Sequence, residues 1–257
     1  MYSYQRRLTY RILFTALLLY FCFAVNSLGD DTLPADEKLG EILANVTPGL
    51  QKELAVKKLD LGAPIFIRIF KLQKELEVWL EKDGQYRLFK AYPICSYSGY
   101  LGPKIKEGDW QSPEGFYSVS HEQMNPLSSY HLSFNIGYPN DYDTYFKHDG
   151  NSIMVHGECS SMGCFAMTNH RMEEIYTLAH YAFENGQQAF DVHVFPFPLT
   201  DKNLEKFRSS PWIGFWKNLQ PGYLAFEKSR RVPSISVENG KYIIGRPVKL
   251  AMSPEKR

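Results

Sequence analysis

Alternating apolar residues at 65–90 constrain the fold more than any other feature of the chain. Apolar side chains recur at every second position at 65–69 and 76–80, and the alternation resumes with Tyr86, Leu88 and Lys90. This period of two is typical of a β-strand with one face packed on a core. The dipeptide Asp83-Gly84 precedes the third run, and Asp-Gly between alternating runs is a strong hairpin signal. The sequence therefore predicts an antiparallel meander over residues 65–90.

Strand and helix signals follow one another along the rest of the chain. Apolar or alternating runs predict strands at 115–119, 130–136, 152–155 and 190–194, and a hairpin about Asn239-Gly240 at 234–244. Helical spacing predicts helices at 34–58, with an interruption at Thr47-Pro48, from Thr168 or Asn169 to Gly186, and at 200–219. The pattern is typical of an α+β fold that is mainly β.

The first 29 residues have the composition of a secretory signal peptide. Three arginines precede an apolar run at 12–25, and a short polar and small stretch follows at 26–29. An apolar run of about 14 residues is short for a membrane span, which needs about 20. The sequence therefore predicts export, with cleavage between Val25 and Asp30. The alternative is an uncleaved signal, which would be the protein's only attachment to a membrane.

Charge argues against nucleic acid as a partner. The signal holds three of the 29 basic residues and none of the 28 acidic ones, so the mature chain has a net charge of −2. A nucleic-acid-binding domain carries a basic patch or stripe, and the sequence has none.

The mature chain keeps three cysteines, Cys95, Cys159 and Cys164. An odd number allows at most one disulfide, so at least one thiol stays free unless it pairs with another molecule. A free thiol in an exported protein points to chemistry, although a buried and inert cysteine is the plainer alternative.

The segment 155–169, VHGECSSMGCFAMTN, has three interpretations. His156, Cys159 and Cys164 are suitable zinc ligands, but structural zinc sites use paired spacings and four ligands, so we expect no metal or other cofactor. A disulfide between Cys159 and Cys164 would close a very short loop, whereas a bridge from Cys159 to Cys95 remains open. The third interpretation is nucleophilic catalysis.

Catalysis by a cysteine needs a thiolate and a base close to it. A neighbouring histidine both lowers the pKa of the thiol and accepts its proton. His156 ends a predicted strand, and Cys164 stands just before a new element. Gly163 permits an unusual backbone turn and a close approach by a substrate. Backbone N–H groups near Cys164 are then placed to bind a developing oxyanion.

The same residues resemble a known active-site signature. His156-Gly157 followed by Ser161-Met162-Gly163-Cys164 resembles the signature of L,D-transpeptidase catalytic (YkuD) domains, which is a His-Gly and then Ser/Thr-His-Gly-Cys. The YafK-type branch of the murein L,D-transpeptidases is more similar still, and four other stretches agree with it, at 92–95, 107–115, 135–139 and 192–196. The resemblance runs from about Ile65 to Tyr242.

The resemblance implies a fold and a reaction. The fold would be a β-sandwich-like catalytic domain with flanking helices. The implied organisation is a signal peptide at 1–29, a helical lead-in at 30–64, the catalytic domain at 65–198, and a C-terminal helix and hairpin extension at 199–257. Cys164 would attack the amide carbonyl at meso-diaminopimelate in a peptidoglycan stem peptide and form a thioester. The expected location is the bacterial periplasm or cell envelope.

The second substrate decides the outcome of this reaction. If an amine resolves the thioester, the result is a transpeptidation. If water does, the enzyme is a hydrolase that trims stem peptides or releases a lipoprotein linked to peptidoglycan. The partners implied are therefore peptidoglycan stem peptides and a peptidoglycan-linked lipoprotein.

Residue roles follow from the resemblance. Cys164 is the expected nucleophile, and His156 is the expected general base and later the acid. The backbone N–H groups of Gly163 and Cys164 are the candidates for binding the oxyanion. Ser161 either orients the turn or the base, or is a plain turn residue.

Other positions have less specific expectations. Tyr130 and His131 line the groove or occupy core or strand-face positions, and Cys159 is expected to be non-catalytic. Two residues depart from the wider family: Met162 replaces a second histidine, and Ala166 replaces a frequent arginine.

Two rival functions come from other classes. The first is a non-catalytic domain that binds the cell envelope, which the presence of both His156 and Cys164 disfavours. The second is an exported cysteine peptidase for ordinary proteins, which the lack of another Cys/His/Asn signature disfavours.

Overall fold

The computed structural model describes residues 35–247, with side chains from 37 to 245. The predicted signal peptide at 1–29 and its cleavage site lie outside the described residues. The chain divides into two units, Met1–Lys38 and Leu39–Arg257. Both sheets, the core and the candidate site belong to the second unit. Between residues 35 and 247 no helix has the length and apolar character that crossing a membrane requires.

The predicted meander forms part of a five-stranded sheet. Its strands are β1 (Ile65–Phe70), β2 (Glu75–Lys82), β3 (Gln85–Pro93), β5 (Gly115–Ser120) and β10 (Ala189–Phe195), in the spatial order β3-β2-β1-β10-β5. Strands β1, β2 and β3 pair antiparallel, which confirms the meander, and β10 lies parallel to β1. Asp83 and Gly84 both have positive φ, 57° and 77°, as a two-residue hairpin turn requires.

A second five-stranded sheet is built from short strands. They are β4 (Ser96–Tyr97), β6 (Met124–Asn125), β7 (Ser133–Asn135), β8 (Met154–His156) and β9 (Phe165–Ala166), in the order β4-β9-β8-β7-β6. Strands β8 and β9 run parallel, and the other neighbouring pairs are antiparallel. The strand predicted at 130–136 is wrong in its first half. His131 has a φ of 71° and the N–H of Leu132 turns back to the carbonyl of Tyr130, so extended pairing begins at Ser133.

The two sheets pack on one apolar core. Ile67 and Val192 of the first sheet and Phe134 and Phe165 of the second are completely buried in the same cluster. The rings of Phe134 and Phe190 meet edge to face across the interface, with centroids 5.4 Å apart. This arrangement of two packed sheets with flanking helices confirms the predicted α+β fold class.

Five helices flank the sheets in the described part of the chain. They are α1 (Ala35–Val56), α2 (Asp141–Tyr145), α3 (Asn169–Glu184), α4 (Asp201–Lys206) and α5 (Ile213–Ser229). The interruption predicted at Thr47-Pro48 is wrong, because α1 continues through Pro48. Proline removes one hydrogen bond from a helix, but burial of Leu50 and Leu54 on the core holds the helix in place. Helix α3 ends as predicted, with Gly186 at a φ of 99° just beyond it.

The C-terminal extension has two helices where the sequence predicts one at 200–219. Helix α4 ends at Lys206, and α5 begins at Ile213 and continues past Pro221. Trp216 and Leu219 are buried in a second apolar cluster together with Phe197, which fixes α5 on the domain. The chain then forms the predicted hairpin, with strands β11 (Pro233–Glu238) and β12 (Lys241–Pro247) about Asn239-Gly240.

Candidate active site

Cys164 stands at the end of a tight turn that leads into β9. The hydroxyl of Ser161 donates to the carbonyl oxygen of Cys164 at 2.7 Å and accepts from the N–H of Gly163 at 3.3 Å. The φ of Gly163 is 125°, which L-residues with a side chain rarely adopt. A β-carbon there would make only ordinary contacts, at 3.4 Å or more, so backbone conformation is what requires glycine. Ser161 therefore closes the turn that carries Cys164.

His156 is the last residue of β8, and its side chain is buried. Its Nδ1 lies 2.5 Å from the carbonyl oxygen of Gly157. A carbonyl can only accept a hydrogen bond, so Nδ1 carries the ring hydrogen of the neutral imidazole. The other nitrogen, Nε2, is therefore the unprotonated one, which is the state that a general base requires.

The register of β8 and β9 brings His156 near the turn that carries Cys164. His156 is paired with Ala166, and Cys164 precedes this partner by two residues, just before β9 begins. Neighbouring strands lie about 4.8 Å apart and rise about 3.3 Å per residue, so rotation of the Cys164 side chain can bring the thiol toward the imidazole. In this structure the thiol instead contacts backbone: Sγ lies 3.4 Å from the nitrogen of Met154 and 3.6 Å from the oxygen of Ser152.

Burial keeps both groups neutral. Burial raises the pKa of the Cys164 thiol, and the N–H of Met154 and the charge of Lys104 offset only part of this rise. Burial lowers the pKa of the His156 imidazole, partly offset by its hydrogen bond to Gly157. Both shifts favour a neutral thiol and a neutral imidazole at rest over a preformed thiolate–imidazolium pair.

Of the two predicted groove residues, the structure brings only Tyr130 to the candidate base. The Tyr130 ring lies 4.8 Å from the His156 ring, tilted by 43°, and the residue is half-exposed. His131 is directed to Glu173, with 2.7 Å between Nε2 and Oε1. Tyr130 therefore covers one face of the imidazole, whereas His131 forms a contact with helix α3.

Cys159 forms a disulfide with Cys95. Cys164 is the free cysteine of the described residues. The bridge joins the start of β4 to the loop between His156 and the Cys164 turn, with 5.4 Å between the two Cα atoms. Because Cys159 is taken up by the disulfide, it is not available as a zinc ligand.

Three residues near the site, Ser112, Lys71 and Glu114, are not among those that the sequence predicts for it. Ser112 donates its hydroxyl to the carbonyl oxygen of Cys164 at 3.3 Å. The carbonyl oxygen of Ser112 accepts from the buried ammonium of Lys71, which is paired with Glu114. The sequence signals are slight: a lysine directly after an apolar strand, and a serine and a glutamate within the stretch 107–115 that resembles the family.

Comparisons with known proteins identify the family. Residues 66–193 match the model of the L,D-transpeptidase catalytic domain, YkuD. The chain is 43% identical over 192 residues to a protein of Escherichia coli (strain K12) named "Putative L,D-transpeptidase YafK", which covers 75% of this chain and 78% of that protein. This chain belongs to the YkuD family. The protein of the same name from Escherichia coli O157:H7 has the same identity and coverage.

Solved structures with lower similarity were also found for this YkuD chain. A mutant of the helical cell shape determining protein Pgp2 from Campylobacter jejuni is 24% identical, with a TM-score of 0.44, over 63% of this chain and 56% of that one. Another structure of Pgp2 is 19% identical, with a TM-score of 0.42, over 79% of this chain and 80% of that one.

Membership places the chain among enzymes whose family acts on peptidoglycan. The YkuD match contains His156 and Cys164. It ends at His193, so helices α4 and α5 and the terminal hairpin lie beyond it.

The neutral state of the Cys164 thiol leads to a pH-dependent alkylation rate. Only the thiolate reacts with iodoacetamide, and a raised pKa leaves little thiolate at neutral pH. At about pH 8, Cys164 of the native protein should react more slowly than the same residue in urea, where burial is lost. The rate should still be rising at about pH 9. A native rate that reaches its plateau below about pH 7 would instead indicate a preformed ion pair with His156.

Proposed function

We propose that this YkuD chain is a cysteine-dependent L,D-transpeptidase that acts on peptidoglycan stem peptides at meso-diaminopimelate. The observation that carries the proposal is one juxtaposition. The free thiol of Cys164 lies on the turn that enters β9, and β9 pairs with the strand that ends at the buried imidazole of His156, whose Nε2 is unprotonated. Family membership supplies the substrate class.

The first step transfers a proton and forms the thioester precursor. The Cys164 side chain rotates away from Met154 and Ser152, and its proton passes to Nε2 of His156. Sγ attacks the amide carbonyl carbon, and the carbonyl oxygen becomes an oxyanion. Because both groups are neutral at rest, proton transfer accompanies the attack, and His156 acts as a general base.

The turn at 161–164 holds two candidate oxyanion donors, the N–H groups of Gly163 and Cys164, and their hydrogen bonds differ. The N–H of Gly163 is directed to the hydroxyl of Ser161. The N–H of Cys164 makes no hydrogen bond to the part of the chain that the structure describes. A free N–H on the nucleophile itself lies next to the atom where charge develops, so Cys164 is the stronger candidate.

The second step releases the leaving amine. The tetrahedral intermediate collapses, the C–N bond breaks, and His156 returns its proton to the departing nitrogen. The acyl group remains on Cys164 as a thioester. An acceptor amine then attacks, His156 takes its proton, and the thiol is restored. If water takes the place of the amine, the product is a free carboxylate and the reaction is a hydrolysis.

Transpeptidation is favoured over hydrolysis by the relative's printed name, "Putative L,D-transpeptidase YafK". We expect the purified mature chain, incubated with tetrapeptide-stem muropeptides in ¹⁸O-water, to give new amide products without ¹⁸O. Mass spectrometry of the digest measures this directly. A new carboxylate carrying ¹⁸O would identify a hydrolase, and binding without any product would support a non-catalytic envelope-binding domain.

Variants test the two roles in the same assay. Cys164→Ala should abolish product formation. His156→Gln should lower kcat by about 10²- to 10⁴-fold, the usual contribution of a general base. The matched control is His170→Gln, because His170 is an exposed histidine on α3 and should keep the full rate. Equal losses for His170→Gln and His156→Gln would contradict the assignment of the base.

We also propose that the protein is exported to the bacterial periplasm or cell envelope. The signal-like composition of residues 1–29 and the Cys95–Cys159 disulfide support this, because structural disulfides persist in oxidising compartments. A periplasmic extract should contain a chain that begins between Val25 and Asp30. Without reductant, one cysteine of that chain should react with an alkylating agent. A full-length cytoplasmic chain with every thiol reactive would contradict export.

A further inference from the structure

Lys71 and Glu114 form an ion pair with no solvent exposure at either side chain. Lys71 follows strand β1, Glu114 precedes β5, and the distance from Nζ to Oε1 is 3.0 Å. Burying two charges carries a large desolvation penalty unless each remaining polar atom finds a partner. The partners of this pair therefore indicate what the pair does.

On one side those partners are backbone groups of a single loop, residues 98–114. Nζ of Lys71 donates to the carbonyl oxygens of Gly102 at 2.9 Å and of Ser112 at 2.8 Å. Oε1 of Glu114 accepts from the N–H of Gly102 at 2.7 Å. The ion pair thus holds the two sides of the loop through their backbone groups, and the Gln111 side chain donates to the same two carbonyl oxygens, at 2.8 Å and 3.2 Å.

The 98–114 loop directly contacts the turn at 161–164 that carries Cys164. The hydroxyl of Ser112 donates to the carbonyl oxygen of Cys164, and the N–H of Ser112 donates to Ser98 across the loop at 3.0 Å. The carbonyl oxygen of Gln111 lies 3.6 Å from the position that a β-carbon on Gly163 would occupy. A shift of this loop would therefore move the turn that carries the thiol.

On its other side, the ion pair contacts the C-terminal extension. Oε2 of Glu114 accepts from Nε1 of Trp216 at 2.7 Å. Trp216 lies on α5 and is 1% exposed, and its ring packs against those of Phe197 and Phe207. The indole is therefore a rigid donor, and it lies beyond the family match at 66–193.

We propose that Trp216, Glu114 and Lys71 are positioning residues for the Cys164 nucleophile, and that the C-terminal extension is in this way part of the active site's support. The inference rests on the proposed function for its consequence in catalysis. The contacts form a continuous path. The Trp216 indole donates to the Glu114 carboxylate, which is paired with the Lys71 ammonium. Lys71 donates to the carbonyl oxygen of Ser112, and the Ser112 hydroxyl donates to the carbonyl oxygen of Cys164.

The chain offers a matched control for each test variant. Glu77 is a second buried carboxylate that accepts from a cation and an indole, namely Arg68 and Trp79, both at 2.8 Å. Neither partner lies in the 98–114 loop. Trp216→Phe and Glu114→Gln therefore compare with Trp79→Phe and Glu77→Gln, which remove the same chemical groups elsewhere in the fold.

Four measurements distinguish positioning from general destabilisation: kcat, KM, the pH profile of Cys164 alkylation and the melting temperature. We expect Trp216→Phe and Glu114→Gln to lower kcat by about tenfold to a hundredfold, since small displacements of a reacting group have effects of this size. KM should change by less than about threefold, because substrate contacts are retained. The pH profile of Cys164 alkylation should also shift. The two control variants should lower the melting temperature without altering kcat or the alkylation profile.

The alkylation profile keeps this inference separate from the proposed function. It needs no substrate, so a wild-type chain that fails to process peptidoglycan would refute the function while alkylation still tests the positioning. Wild-type kcat and alkylation in both Trp216→Phe and Glu114→Gln would overturn the inference. If Glu114→Gln fails to fold, Ser112→Ala removes only one hydroxyl from the path. Its kcat should fall several-fold with an altered alkylation profile, and wild-type values would again overturn the inference.

Discussion

The parallel pairing of β8 with β9 is the contact on which the candidate site depends. Val155 and Phe165 face each other in this register and are completely buried in the core. A slip of one strand by one residue would turn its side chain away from the core, so hydrophobic burial specifies the register strongly. The same register brings the end of β8, where His156 stands, beside the turn that carries Cys164. Packing in the core thus fixes the backbone that positions the candidate pair.

Local backbone features then bring each group to its position. Gly157 approaches so closely that a β-carbon would lie 2.8 Å from the Tyr130 carbonyl oxygen and from the Asn169 side chain, which explains glycine after the histidine. The Cys95–Cys159 disulfide links the segment between His156 and Cys164 to the start of β4. Burial disfavours charge on both His156 and Cys164 at rest. In the proposed mechanism, charge therefore develops only as the thiol attacks, where fixed backbone donors stabilise it most.

The structural features that the sequence predicts correctly are those with a local signal. The alternation at 65–90, the turns at Asp83-Gly84 and Asn239-Gly240, and the helix stop at Gly186 each depend on a few adjacent residues. Prediction failed at Thr47-Pro48 and at 200–219, where burial against distant elements outweighs local preference and sets helix length. The strand predicted at 130–136 begins only at Ser133, because His131 adopts a left-handed conformation that no periodicity signals.

The same distinction applies to the candidate site. His156 and Cys164 stand eight positions apart, and their motif could be found in the sequence. The bridge between Cys95 and Cys159 spans 64 residues, and the Lys71–Glu114 pair also joins distant segments. Pairings at such separations leave no periodic or compositional trace. Trp216 is more remote still, so only the folded chain associates the C-terminal extension with Cys164.

Trapping the acyl-enzyme tests the central claim most directly. The purified chain would be quenched in acid during turnover of a tetrapeptide-stem muropeptide, because a thioester survives acid. Intact-mass and peptide mass spectrometry would then locate any adduct. The account predicts the acyl mass of the donor stem on the peptide that contains Cys164, and its loss on treatment with hydroxylamine. An unmodified Cys164 in a sample that is turning over substrate, or an adduct on another residue, would contradict it.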